Sequence, residues 1–595
     1  MLTPDLRTRH QILSMGLGMI MVAAGANCGK SGGPRDGASS PGFGGTIGTG
    51  GASTTMTSSL VSTGGVLATG GSVAGGSATG GSATGGGLIG SGGTGSGGVN
   101  SGGTTTSTGG VNTGGRATAS GGASATGGDK TGGAVGTFGG VMAVGGNALG
   151  GRASGGTASG GSVTGGATGS AVSVSKDGET AITKAGLTVV SYGGYLNGES
   201  FQQDGIVSHG GYQYAAFWNT ARHVVLGRRA LPTGTWSTLE LADYTNSADD
   251  AHNTISIGIC PGDGTLHLSF DHHGNDLHYR KSAAGLVTSP STATWAASSF
   301  GAVTSTLVGS TKVTLVTYPR FVTEPDGSKM LFEARIGSSG SGDEYLWEYD
   351  SVTHGWTSLG MFVNGTLDSI NAYPHGLSYT RGGTRLHMSW CWRETPDAST
   401  NHDLFYVYSD DHGRTWKSNA GTSVATSGSS YITKTSSGIK VWTINQNRGL
   451  INQEHMAVDT TGRVHVLLSH MPDAQADDAT FDSARTKSQY FDYWRSTTGT
   501  WTRVATGVPS VANFRGKVAI ANSNNVYVIL PDLRIAAATS TANFATWTVL
   551  DSTDVGRFFS DPLIDTARLL TEDKLTVFYP QKSSSSIFVL DYSIQ

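Results

Sequence analysis

From about residue 175 onward, apolar and polar positions alternate in short runs that are broken by Gly, Asp, Asn and Ser turns. A period of two marks strands, and no stretch carries the 3.6-residue period of a long helix, so the pattern predicts an all-β fold. The clearest case is Ile255, Ile257 and Ile259, then the turn Pro261-Gly262-Asp263-Gly264, then Leu266, Leu268 and Phe270. Pairing Cys260 with Thr265 sets Ile259 against Leu266, Ile257 against Leu268 and Ile255 against Phe270, which places every apolar side chain on one face. The same register puts His252 opposite His273 on the polar face, with Thr254, Ser256, Ser269 and Asp271. His272 falls on the apolar face, and a one-residue bulge would exchange it with His273, so both stay candidates. Two convergent imidazoles can act as base, acid or substrate donors near neutral pH, or bind a metal.

The pattern also repeats. Trp236, Trp295, Trp356, Trp416, Trp501 and Trp547 share a small/Thr-Trp-Thr/Ser setting, with separations of 59, 61, 60, 85 and 46 residues. A unit of about 60 residues holds four short strands, the size of a propeller blade, and the folded region has room for about seven. The long interval is read as hiding a degenerate unit around Trp442.

The first part of the chain has a different composition. Of 93 Gly in 595 residues, 52 lie between Ser31 and Ser170, a stretch with no Trp or Tyr and six charged residues. Such a segment lacks the apolar area to offset chain entropy, and residues 29–174 are expected to be a disordered Gly/Ser/Thr-rich linker, with a reach on the order of 60–70 Å. The glycines follow no strict G-X-Y spacing, which excludes collagen. Before them, Arg7, Arg9 and His10 precede an apolar run from Ile12 to Ala24, the length of a signal-peptide core and too short to span a bilayer. The run ends Gly25-Ala26-Asn27-Cys28, which resembles a bacterial lipobox. Residues 1–28 are therefore expected to export the chain, with Cys28 lipidated at the outer membrane, or else to leave it secreted. Residues 175–595 are expected to form the propeller, a monomer by default because closed blades need no partner.

Charge narrows the ligand only locally. The net charge is −4, and the part after residue 170 holds 31 basic and 39 acidic residues. Such a domain has no general attraction for nucleic acid, so an anionic ligand must be met by a local cluster of Arg and His. No Asp/Glu pair has spacing that reads as a glycosidase dyad. Cys260 and Cys391 could form a disulfide in an exported chain, or one could ligate a metal.

Ser409-Asp410-Asp411-His412-Gly413-Arg414-Thr415-Trp416 fits S-x-D-x-G-x-T-W, the Asp-box hairpin of sialidase-like BNR propellers. Its Asp411 is expected to bond the turn's own amides, Gly413 to take a positive φ and Trp416 to pack between blades, which is a structural role. The strings HNTISIGICPGDGTLHLSFDHHG, TYPRF, MLFEAR, NAYPHGLSY and LHMSWCWRET, in that order, resemble the BNR-4 family of neuraminidase-like propellers, which includes ulvan lyases of the seven-bladed type.

The resemblance implies a lyase that cleaves a uronate-containing anionic polysaccharide by β-elimination. That chemistry needs a cation on the carboxylate, a base for the C5 proton and an acid for the departing O4. Carried over by motif, these are His252, His272 or His273, Tyr318 and Arg335, with Tyr373, His375 and Arg320 at the substrate and Arg320 the alternative carboxylate clamp. No cofactor is implied for catalysis. A structural zinc or calcium is implied, for which Cys391, His402 and His455 are the candidates. The rival readings are a sialidase-like hydrolase, for which no FRIP-like opening is present, and a non-catalytic glycan-binding propeller.

Overall fold

The computed structural model describes residues 172–595, apart from 479, 512 and 559; Cys28, the expected signal peptide and nearly all of the expected linker lie outside the described residues. The strands form seven antiparallel blades, and first strands lie against each other between blades one and two, two and three, four and five, five and six, and six and seven. Blade one runs Ile206–His209, Tyr212–Trp218, His223–Ala230, Ser237–Thr245. Blade three (Val316–Thr323 to Gly355–Val363), blade five (His455–Val458 to Trp501–Pro509) and blade six (Lys517–Ile520 to Thr548–Asp551) repeat that order. Blade two has three strands, Ile255–Cys260, Thr265–Phe270 and Tyr279–Lys281, and blade four runs Asn371–Tyr379, Leu386–Arg393, Asn401–Ser409, Thr415–Ser418 and Ser423–Thr426.

The predicted hairpin register holds residue for residue, from Ile255 opposite Phe270 to Cys260 opposite Thr265. Its polar face does not meet water, since every residue of both strands is buried. The reason is interblade packing. Gly258 lies so close to Phe321 of blade three that a Cβ would stand 2.4 Å from it, and His267 is satisfied by Thr265 at 2.7 Å and Tyr279 at 2.7 Å.

The repeating tryptophans mark the outer strands. Trp356, Trp416 and Trp501 lie in the fourth strands of their blades, while Trp236 and Trp547 stand just before theirs. The interval from Trp416 to Trp501 hides no extra blade. Lys440–Trp442 pairs with Asn401–Ser409, so Trp442 belongs to blade four, whose outer part is lengthened by an insertion. The seventh blade comes instead from both ends of the domain: Leu563–Ile564, Lys574–Pro580, Ile587–Ile594 and then Val174–Thr183. The Asp box behaves as expected. The Asp411 carboxylate accepts from the Thr415 amide at 2.7 Å, Gly413 has φ +82°, and buried Trp416 stacks on Phe362 of blade three at 4.9 Å.

Across the centre runs the segment 196–204. Asn197 bonds the Trp218 carbonyl and amide of blade one at 2.9 Å each, and the Ser200 amide donates to Asp561 beside blade seven at 2.9 Å. Phe201 packs on Tyr318 of blade three at 5.1 Å and under the Arg515 guanidinium beside blade six at 4.6 Å. The segment is thus an axial plug, held by blades that are far apart in sequence.

Closure of blade seven rests on Asp591. Its carboxylate accepts from Arg229 at 2.8 Å and Arg568 at 2.5 Å, and all three side chains are largely buried. Removing it leaves the buried Arg229 guanidinium without a carboxylate, while Arg568 keeps its ion pair with Glu572 at 2.9 Å. Asp591→Ala is expected to destabilise the protein by about 3–5 kcal/mol, read as a lowered thermal unfolding midpoint.

Candidate active site

The chain leaves blade two after Phe270 and changes blades within three residues. Asp271 takes φ +63°, and His273–Asn275 then joins blade three by pairing with Val316–Thr323. This switch separates the two candidate histidines. His272 stays buried, its Nε2 accepting the His278 amide at 2.9 Å, and burial with the His278 charge holds its pKa well below the ordinary value. His273 turns to the partly exposed side. Opposite His273 stands Thr317, and opposite Thr317 stands Arg335, so the three form one row across adjacent strands, where lateral neighbours point to the same face.

His252 meets His273 as the hairpin register predicts. The rings stack with centroids 4.0 Å apart and 12° between planes. Asp250 holds both: its Oδ1 accepts from His252 Nδ1 at 2.6 Å and from the His252 amide at 2.8 Å, and its Oδ2 accepts from His273 Nδ1 at 2.6 Å. Burial alone would raise the Asp250 carboxyl, but these hydrogen bonds outweigh it and hold the group far below the usual range. With its Nδ1 occupied by Asp250, His273 has Nε2, on the far edge of the ring, with which to exchange a proton. The pKa of His273 is lowered by burial, by the charge of His252 and by that of Arg335, against the raising effect of Asp250. Phe201 of the axial plug closes the stack, 4.8 Å from His252 and 6° from parallel.

Both Tyr candidates precede a proline, which cannot donate to the ladder; Tyr318 sits within a bulge and Tyr373 just before one. The register slips between Thr317 and Arg320, where Tyr318 takes φ +60°, and again between Pro374 and Gly376 after Tyr373. A non-glycine residue in the left-handed region stores strain that surrounding structure must hold. At Tyr318 it brings the ring to 5.9 Å from His252 and places it under the Arg335 guanidinium at 4.7 Å. The Tyr373 hydroxyl accepts from Arg335 at 3.4 Å and from Arg393 at 3.1 Å. Arg393, fully buried, is fixed in turn by Asn401 at 2.8 Å and Asn452 at 2.7 Å. Glu344 stands opposite Arg335 in the sheet. Burial and the Glu333 charge raise its pKa well above the ordinary value, against the lowering effect of Arg335 and Arg320.

The structure thus brings together His252, His273, Tyr318, Arg335 and Tyr373, and sets the remaining candidates apart. Arg320, the alternative clamp, is buried in an ion pair with Glu333 at 3.0 Å and bonds Gln203 at 3.1 Å. His375 is buried with its Nδ1 accepting the Glu454 amide at 3.3 Å, and burial with the charges of Arg320 and Arg515 lowers its pKa to about 3. Asp250, Phe201 and Arg393 were not singled out from sequence. For Asp250 a signal existed, since an Asp two residues before a His can accept from the following amide.

The proposed metal ligands do not converge. Cys391 is buried opposite Tyr373, and burial pushes its thiol up to about 12. Both ring nitrogens of His402 are taken, by Glu394 at 2.8 Å and Asp403 at 3.1 Å, and His455 Nδ1 accepts the Val518 amide at 3.2 Å. A protonated thiol and occupied imidazoles do not fit zinc, and none of the three offers the oxygen that calcium requires. Among the described residues, the group of three with ligand atoms within 4.8 Å of one another is Asp250, His252 and His273, whose Nδ1 atoms are already spent on the carboxylate. Cys260 and Cys391 are both free and buried, so the disulfide does not form.

Comparison with known proteins agrees with this architecture. Residues 212–507 match the BNR repeat-containing family. The chain is 27% identical over 241 residues to a long-isoform ulvan lyase of Pseudoalteromonas sp. (strain PLSV), a match that covers 34% of this chain and 24% of that protein. It is 26% identical over 232 residues to a short-isoform ulvan lyase of Alteromonas sp. (strain LOR), covering 32% of this chain and 44% of that one. The matched stretch therefore spans less than half the length of either relative. Among solved structures, the polysaccharide lyase Uly1 superposes with a TM-score of 0.54 at 18% identity, over 70% of this chain and 99% of that one, which is a likeness of fold. From the second strand of blade one to the last strand of blade five, residues 212–507, the chain matches the BNR repeat-containing family, and it is similar in sequence to ulvan lyases and in fold to a polysaccharide lyase.

Proposed function

We propose that this protein is a polysaccharide lyase that cleaves a uronate-containing anionic polysaccharide of the ulvan kind by β-elimination. The observation that carries the reading is the two stacked histidines on one carboxylate, in the same row as Arg335 and against Tyr318. Arg335 pairs with the uronate carboxylate, which makes the C5 proton more acidic and stabilises the charge that develops when it leaves. His273 is the base. Its side chain is 29% exposed against 5% for His252, and its pKa is lowered from the ordinary value, which favours the neutral base. Tyr318 donates the proton to the departing O4, and Tyr373 helps to hold Arg335 in place. His252, stacked beneath, disfavours a second positive charge on His273. The ulvan lyase relatives support the substrate class, and the run Ile12–Ala24 with Cys28 supports an exported, lipid-anchored enzyme that meets its polymer outside the cell.

Incubation of the protein with ulvan should produce the ultraviolet absorbance of unsaturated uronate ends; new reducing ends without that absorbance would mean hydrolysis instead. His273→Ala and Arg335→Ala should each lower kcat/KM by about 10²–10⁴ while circular dichroism stays unchanged. Because the His273 pKa lies below the ordinary 6.5, the acid limb of the kcat/KM profile should fall below that pH. Asp250→Asn removes the group that raises this pKa, so the limb should move to still lower pH, with a reduced maximal rate.

A further inference from the structure

Ahead of blade one, Val189–Val190 and Gly194–Tyr195 form a small hairpin whose turn carries Tyr192. Among the described residues, Tyr192 is one of the few large hydrophobic side chains exposed to solvent, at 39%. Its backbone is fastened to the segment that carries Asp250: the Tyr192 amide donates to the Asp249 carbonyl at 3.1 Å, and the Ala251 amide donates to the Tyr192 carbonyl at 2.9 Å. Gly193 and Gly194 follow with φ +82° and +90°, and a Cβ on Gly193 would stand 2.8 Å from that of Ala251. Only glycine allows this bend and this approach. The consequence is a ring set beside the histidine stack, 5.7 Å from His252 and 6.4 Å from His273, within 26° of both planes. Tyr195, next along the hairpin, places its ring edge on Phe514, 5.9 Å away.

We propose that Tyr192 is a sugar-binding platform, a subsite for the pyranose next to the uronate that Arg335 holds. An aromatic face packs well against the apolar face of a pyranose, and an exposed ring beside the reacting groups gains from being covered in a way that a core ring does not. The position selects the occupant. Tyr318, Tyr373 and Arg335 reach the histidines from blades three and four, whereas Tyr192 reaches them from the hairpin, so a polymer anchored by its carboxylate at Arg335 extends past the histidines onto this ring. The hydroxyl adds a polar tip for a sugar oxygen or a substituent on it.

This subsite rests on the lyase reading, and the test separates the two. With the full chain on ulvan, Tyr192→Ala should raise KM roughly tenfold and change kcat by less than about twofold, and Tyr192→Phe should recover most of the lost affinity. An unchanged KM would overturn the proposal, as would a fall in kcat at constant KM, which would place Tyr192 in the bond-breaking step. If the unsubstituted protein yields no unsaturated product, the lyase reading falls alone. Electrophoresis through ulvan-containing gels then decides the subsite: weaker retardation of Tyr192→Ala than of the unsubstituted protein sustains it, and equal mobility removes it.

Discussion

Closure of the ring is the constraint on which everything else depends. The strand Val174–Thr183 pairs with Ile587–Ile594, the last strand of the chain, and so completes a blade that the C-terminal strands cannot complete alone. Without it, blade seven would present an open edge, and the buried cluster of Arg229, Arg568 and Asp591 would be exposed on one side. The axial plug follows this strand in the chain, after the small hairpin of Val189–Val190 and Gly194–Tyr195. Its contacts with Trp218, Tyr318, Arg515 and Asp561 exist only when the blades that carry them stand around one axis.

The plug in turn supports the site. Phe201 lies between the Arg515 guanidinium and the His252 ring, so the histidine stack rests on a side chain that is itself clamped. That arrangement limits where the two imidazoles can move, and the shared carboxylate of Asp250 fixes which nitrogen of each ring is occupied. The electrostatics follow from the same crowding. Burial and the neighbouring charges of His252 and Arg335 favour a neutral His273, while burial and the Glu333 charge raise the Glu344 carboxyl against the pull of Arg335. The left-handed backbone at Tyr318 is the local cost of aiming a third proton-bearing group at the same place.

Much of this was legible in the sequence where the information is local. The register of the hairpin from Ile255 to Phe270 follows from alternation across a short turn, and it carried His252 to His273 correctly. The Asp box announced its own hydrogen bonds, and the spacing of the tryptophans announced the number of blades. The same reasoning misassigned Trp442, because spacing alone does not distinguish an insertion in blade four from a worn-down repeat.

What the sequence by itself determined is therefore the set of strands, their pairing within a blade and the presence of an imidazole pair, since each rests on neighbours a few residues apart whose side chains alternate. Only the tertiary structure decided which histidine turns outward, which arginine is committed to Glu333 and which lies over Tyr318, and that Cys391, His402 and His455 stay apart. These outcomes depend on bulges, a change of blade at Asp271 and contacts between strands more than a hundred residues apart. Their geometry is set when the ring closes, and no local pattern of polar and apolar positions encodes it.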